Sequence, residues 1–145
     1  MKQRATVYYV WIGGSCDYGH PERAGGAAVR VERDGRVISR ETLAGLHTTE
    51  FRMMLTLMAK VMNDLPPESE ILFLTNVAYM LNFDREPTAQ SAHPDLIRQC
   101  IEAKKRHTSV TVKLVAYHKS PLLIQTHDAA TEAMKEMRRK TCSKR

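Results

Sequence analysis

Ala27-Ala28-Val29-Arg30-Val31-Glu32-Arg33-Asp34-Gly35-Arg36-Val37-Ile38-Ser39-Arg40-Glu41-Thr42-Leu43 is the stretch that decides how the chain begins to fold. Val29 and Val31 alternate with Arg30 and Glu32, the period-two signature of a strand with one buried face. Asp34-Gly35 is a two-residue hairpin signal, because a type I′ turn needs positive φ at both central positions. Arg36 to Leu43 is then the return strand. Upstream, Thr6 to Ile12 is dense in β-branched and aromatic residues and is bounded by Gly13-Gly14, so it reads as a buried strand. Trp11, inside it, is read as core or a subunit contact rather than a base-stacking platform. Cys16 to Gly26, with Gly19, Pro21, Gly25 and Gly26, reads as a loop. The chain thus opens with a three-stranded antiparallel meander.

Beyond the meander the period changes. Phe51, Met54, Leu55, Met58, Val61, Met62 and Leu65 follow helical spacing and make one broad apolar face. Thr48 or His47 is the expected cap, Glu50 sits in the first turn, and Pro66-Pro67 stop the helix. Glu70 to Thr75 is a short continuous apolar run, as in a strand covered on both faces. A helical turn is expected around Val77 to Leu81, and Asn82 to His93 reads as a loop. Pro94 to Arg106 is a second full helix with Pro94 at its first position. Val110 to Ala116 alternates as a fifth strand, His118 to Gln125 reads as a loop, and His127 to Lys140 is a third full helix with Ala130, Ala133, Met134 and Met137 inward. The order β-β-β-α-β-(α)-α-β-α predicts a mixed five-stranded α/β sheet with helices on both faces.

The 145 residues suffice for one domain with its own core. The expected division is a single domain over 1–140 and a basic tail over 141–145. No run of 18 apolar residues exists, and the start lacks an apolar signal core, so the expectation is a cytoplasmic chain without membrane contact. Cys16, Cys100 and Cys142 form no C-x-x-C pair and are expected as free thiols. Net charge is +6, and Met134 to Arg145 holds six Lys/Arg against one Glu. That balance, with the Lys104-Lys105-Arg106 cluster, suits contact with phosphates.

The same element order is that of the ribonuclease H fold, and short motifs resemble that family. Gly14-Ser15-Cys16 is similar to the family's first motif, a strand ending in Asp-Gly-Ser. Thr48-Thr49-Glu50-Phe51-Arg52-Met53-Met54-Leu55 resembles its helix start, Thr-Thr-Asn-Asn-Arg-Met-Glu-Leu. Leu74-Thr75-Asn76 with Tyr79 resembles Thr-Asp-Ser with its tyrosine. His118 falls where the family carries a loop histidine, and Asp128-Ala129-Ala130 resembles its Asp-x-Ala segment. The resemblance spans about residues 5 to 140.

Carried over position by position, the family's four metal-site carboxylates fall on Gly13, Met54, Asn76 and Asp128, and only Asp128 is an acid. The family chemistry uses carboxylates to hold two magnesium ions. Glycine offers no ligand, a thioether is too soft, and an amide is neutral. The resemblance therefore implies a catalytically inactive domain with a vestigial His118 and no expected cofactor. Its work would be binding of nucleic acid (RNA/DNA hybrid, duplex or single strand) or of a partner. Thr49, Lys104, Lys105, Arg106, Arg138, Arg139 and Lys140 are the candidate nucleic-acid contacts. Glu50-Phe51, standing where the family has two Asn, disfavour simple carry-over of hybrid binding. One alternative is a divergent nuclease using magnesium or manganese at a displaced site built from Glu50, Asp17, Asp128 and His118. A third reading is a structural or homodimer-forming module, joined through the Met-rich helix or an edge strand.

Overall fold

The computed structural model describes residues 6–143. Ten elements follow in chain order: β1 (Val7–Cys16), β2 (Gly25–Arg33), β3 (Arg36–Gly45), α1 (Glu50–Asp64), β4 (Glu70–Thr75), a 3-10 turn (Ala78–Asn82), α2 (Pro94–Lys104), β5 (Ser109–Leu114), a second 3-10 turn (Tyr117–Lys119) and α3 (Pro121–Ser143). The sheet order is β3-β2-β1-β4-β5. β1, β2 and β3 are antiparallel neighbours, while β1, β4 and β5 run parallel. The mixed five-stranded sheet expected from the sequence is therefore present. The hairpin turns where it should, with Asp34 and Gly35 both at positive φ. No helix is long and apolar enough to cross a membrane among the described residues.

Local expectations need correction at three places. Gly13-Gly14 do not end the first strand: β1 continues to Cys16, and β2 begins at Gly25, because Gly13 pairs with Ala28, Gly14 with Ala27, Ser15 with Gly26 and Cys16 with Gly25. The cap of α1 is Thr49, whose hydroxyl accepts from the Arg52 N–H at 3.1 Å, and Thr48 is buried instead. The last helix starts at Pro121, not His127. Proline at the first helical position gives up no internal hydrogen bond, and the turn closes through Ile124 N–H to the Ser120 carbonyl at 3.0 Å. The expected tail overlaps this helix, and its residues 144 and 145 lie outside the described residues.

The glycine pairs show how the layers meet. A Cβ on Gly14 or Gly25 would face α1, whereas one on Gly13 or Gly26 would face α3. Side chains alternate across a strand, so α1 and α3 cover opposite faces of the β1–β2 sheet. The main core lies on the α1 side. Tyr8, Val10 and Ile12 of β1 pack there with Met54, Leu55, Met58 and Met62 of α1, Phe73 of β4, and Ile97 and Cys100 of α2. Each such fully buried side chain contributes about 1.5–3 kcal/mol. Cys16 and Cys100 are free thiols, and burial raises the pKa of Cys100 to about 12, which makes it inert.

Candidate functional site

The resemblance directs attention to the carboxyl ends of β1 and β4. Trp11 is level with Leu74 in the parallel pairing, so Gly13 and Asn76 emerge together two residues further on. Gly13 is buried, and a Cβ there would lie 3.2 Å from the Cα of His127. A side chain there would crowd α3 at His127, one residue before the Asp128 that the sequence singled out. Asp128 itself is exposed. Met54 is fully buried, and its thioether would lie 2.8 Å from a Cβ on Gly14. Asn76 is exposed in the bend after β4, and His118 is exposed on the second 3-10 turn. Tyr117 sits edge-on to both His118 and His127 at 5.5 Å. The His127 Nδ1 is buried without a hydrogen-bond partner among the described residues.

These donors do not fit magnesium. A missing side chain, a sealed thioether, a neutral amide and a single carboxylate do not supply the charge that a hard octahedral ion requires. No group of three or more His, Cys, Asp or Glu side chains placed to share a metal occurs among the described residues.

Two residues of the displaced site, Glu50 and Asp17, are held by other partners. Tyr18 donates its phenol proton to Glu50 at 2.5 Å. Burial, then this bond, pushes the Tyr18 pKa upward, so the phenol stays a donor. Asp17 is ion-paired with Arg138, whose hydrogen bond holds the Asp17 carboxyl below the usual carboxylate range. Burial and the Glu50 charge raise the Cys16 thiol. The Glu50–Tyr18 and Asp17–Arg138 contacts pin the β1–β2 connection to α1 and α3. Nothing in the local sequence signals either pair, because each joins residues far apart in the chain.

The candidate phosphate contacts fall into separate places. Thr49 is engaged as the α1 cap. Thr49→Ala is expected to lower stability by about 1 kcal/mol in urea unfolding, without altering the far-UV spectrum. Lys104 pairs with Asp84 at 2.6 Å and lies over the Phe83 ring. Lys105 pairs with Glu102. Arg106 donates to the Met62 carbonyl at the end of α1, and its own carbonyl accepts from Glu68. This cluster therefore sits near the start of β4, level with the start of β1. Arg138 sits beyond the other end of β1, while Arg139 pairs with Glu136 and Lys140 is also engaged. Ten residues of strand separate the two clusters by about 30 Å, so they do not form one compact footprint.

No protein-family profile matches the chain, and no curated sequence is significantly similar to it. Solved structures are. LC9-RNase H1, described as a type 1 RNase H with the type 2 active-site motif, superposes with a TM-score of 0.73 at 18% identity, over 94% of this chain and 76% of that one. The N-terminal RNase H domain of rv2228c from Mycobacterium tuberculosis gives 0.68 at 12% identity, over 91% of this chain and 98% of that one. The fold is ribonuclease H-like.

Proposed function

We propose that this chain is a non-cleaving ribonuclease H-like module that works by binding nucleic acid. The observation that carries the reading is the chemistry at the four metal-site positions. Gly13 and Met54 are closed into the packing, Asn76 is neutral, and Asp128 is the one acid and is exposed. The +6 charge supplies the attraction to a polyanion. Labelled RNA/DNA hybrid incubated with magnesium or manganese should stay intact, while a binding curve should weaken steeply as salt rises. Cleavage abolished by Asp128→Asn or Glu50→Gln would overturn the reading in favour of the displaced-site nuclease.

A second reading, self-association through the β3 edge, is favoured by one observation: Val37 and Ile38 are 40% and 47% exposed on that strand. Exposed Arg36 and Arg40 on the same strand work against it, as edge charges do. Light scattering across a concentration series decides it, since a constant monomer mass removes this reading.

A further inference from the structure

Among the described residues, the face of the sheet that carries α3 is only half covered. His127 stands over Gly13, Ala130 and Met134 stand over Gly26, and Arg138 reaches Asp17, so the helix lies across the end of β1 and β2 nearest the β1–β2 connection. α3 packs on β1, β2 and β3. Toward the other end of the same face no described helix follows. The clearest sign is Tyr9, which sits on the central strand of the sheet yet is 43% exposed. Trp11, two residues on and therefore on the same face, is half-buried rather than part of the core.

The register fixes their neighbours. Trp11 is level with Arg30 on β2, which is level with Arg40 on β3. On the other side Trp11 is level with Leu74, which is level with Lys113 on β5. Partners across a ladder share a face, so this row presents an aromatic ring between cations two strands away on either side, about 10 Å off. The two rings, at positions i and i+2, are about 7 Å apart along β1. Glu32 is the acid of the adjacent Tyr9 row, and Arg30 neutralises it at 2.6 Å. Arg40 and Lys113 are exposed and have no ion-pair partner among the described residues. A recess of about 360 Å³, lined by Arg30, Arg40, Glu41, Thr42, Thr126 and Ala129, opens where this face meets α3, and Glu41 is paired with Lys60.

We propose that the uncovered half of this face is a platform for single-stranded nucleic acid. Tyr9 and Trp11 stack bases, Arg40 and Lys113 take phosphates on either side, and the recess beside Arg30 receives a flanking nucleotide. Two aromatic rings on a flat surface between unpaired cations is the arrangement that holds unpaired bases, because every base has a stacking face and every phosphate a charge. Duplexes hide the base faces and cannot use the rings. A second copy of the chain is disfavoured, since a two-fold contact would set this positive face against itself. The proposal rests on the nucleic-acid reading above and assigns it a surface that begins two residues before Gly13 and Asn76, on the opposite side of them from α3's crossing toward Gly26.

Trp11 is the only tryptophan in the chain, so its fluorescence reports this surface directly. The experiment titrates the full chain at low salt with labelled oligothymidylate and oligouridylate of about 20 nucleotides, following both label anisotropy and Trp11 emission. The expected result is binding with quenching of Trp11, weakened about tenfold by Tyr9→Ala and by Arg40→Glu. Unchanged circular dichroism and Tm in both variants show that the fold is kept. Binding that leaves Trp11 emission unchanged and is insensitive to Tyr9→Ala overturns the platform while the nucleic-acid reading stands. No binding to single strands, duplex or hybrid overturns both. A concentration-dependent dimer whose dissociation shifts Trp11 emission assigns the face to self-contact and overturns the platform.

Discussion

Met54→Glu is expected to lower the unfolding free energy by about 4 kcal/mol at neutral pH and to restore no magnesium-dependent cleavage. The substitution puts an acid back at the α1 metal position of the resembled family. Met54 is fully buried among Ile12, Met58 and the close approach of Gly14. A carboxylate there has no described cation to pair with, and an unpaired buried charge costs several kcal/mol. Burial favours the protonated form, so the folded state holds its proton to higher pH than the unfolded chain does. The destabilisation is therefore small at acidic pH and grows as pH rises above the ordinary carboxylate range. Urea unfolding at acidic and neutral pH, with and without magnesium, measures this. A neutral effect at neutral pH, or strong stabilisation by magnesium, would mean that the position still belongs to a working metal site.

Gly26→Val should be the most damaging change on the α3 side, at about 3 kcal/mol and a Tm lower by roughly 10 °C. A Cβ at Gly26 would lie 2.6 Å from the carbonyl oxygen of Ala130 and 3.0 Å from the Met134 nitrogen. Both atoms are helix backbone, so no side chain can rotate away and α3 must lift off β2. Gly19→Ala is the control, because its nearest neighbour would be the Asp17 carboxylate at 3.7 Å. Thermal unfolding of the two variants should separate them clearly; equal Tm values would show that α3 docks less tightly than its contacts indicate.

These two sites also show where sequence reasoning reached and where it stopped. Local periodicity placed the hairpin at Asp34-Gly35, the apolar face of α1 and the buried run of β4, since each depends on residues within a few positions of one another. It ended β1 at Gly13-Gly14 because glycine usually punctuates strands. Here glycine runs along the strand because helices press on both faces, a cause that lies more than 30 positions away in the chain. α3 starts earlier than its sequence suggests, because Pro121 reads equally as a loop residue and as a first helical position. Trp11 was assigned to core by its strand context, but which face of a strand is covered depends on where α3 lands.

The sequence alone determined the ribonuclease H-like element order and the chemical poverty of the metal positions, because side-chain identity and hydrophobic period are properties of the chain itself. Only the tertiary structure decided that His127 rather than Asp128 stands over Gly13, that Asp17 and Glu50 are held by Arg138 and Tyr18, and that Tyr9 is exposed and Trp11 half-buried on the sheet face that carries α3. Convergence and exposure are set by how distant elements pack, and no local pattern encodes which half of a sheet a single crossing helix will leave bare.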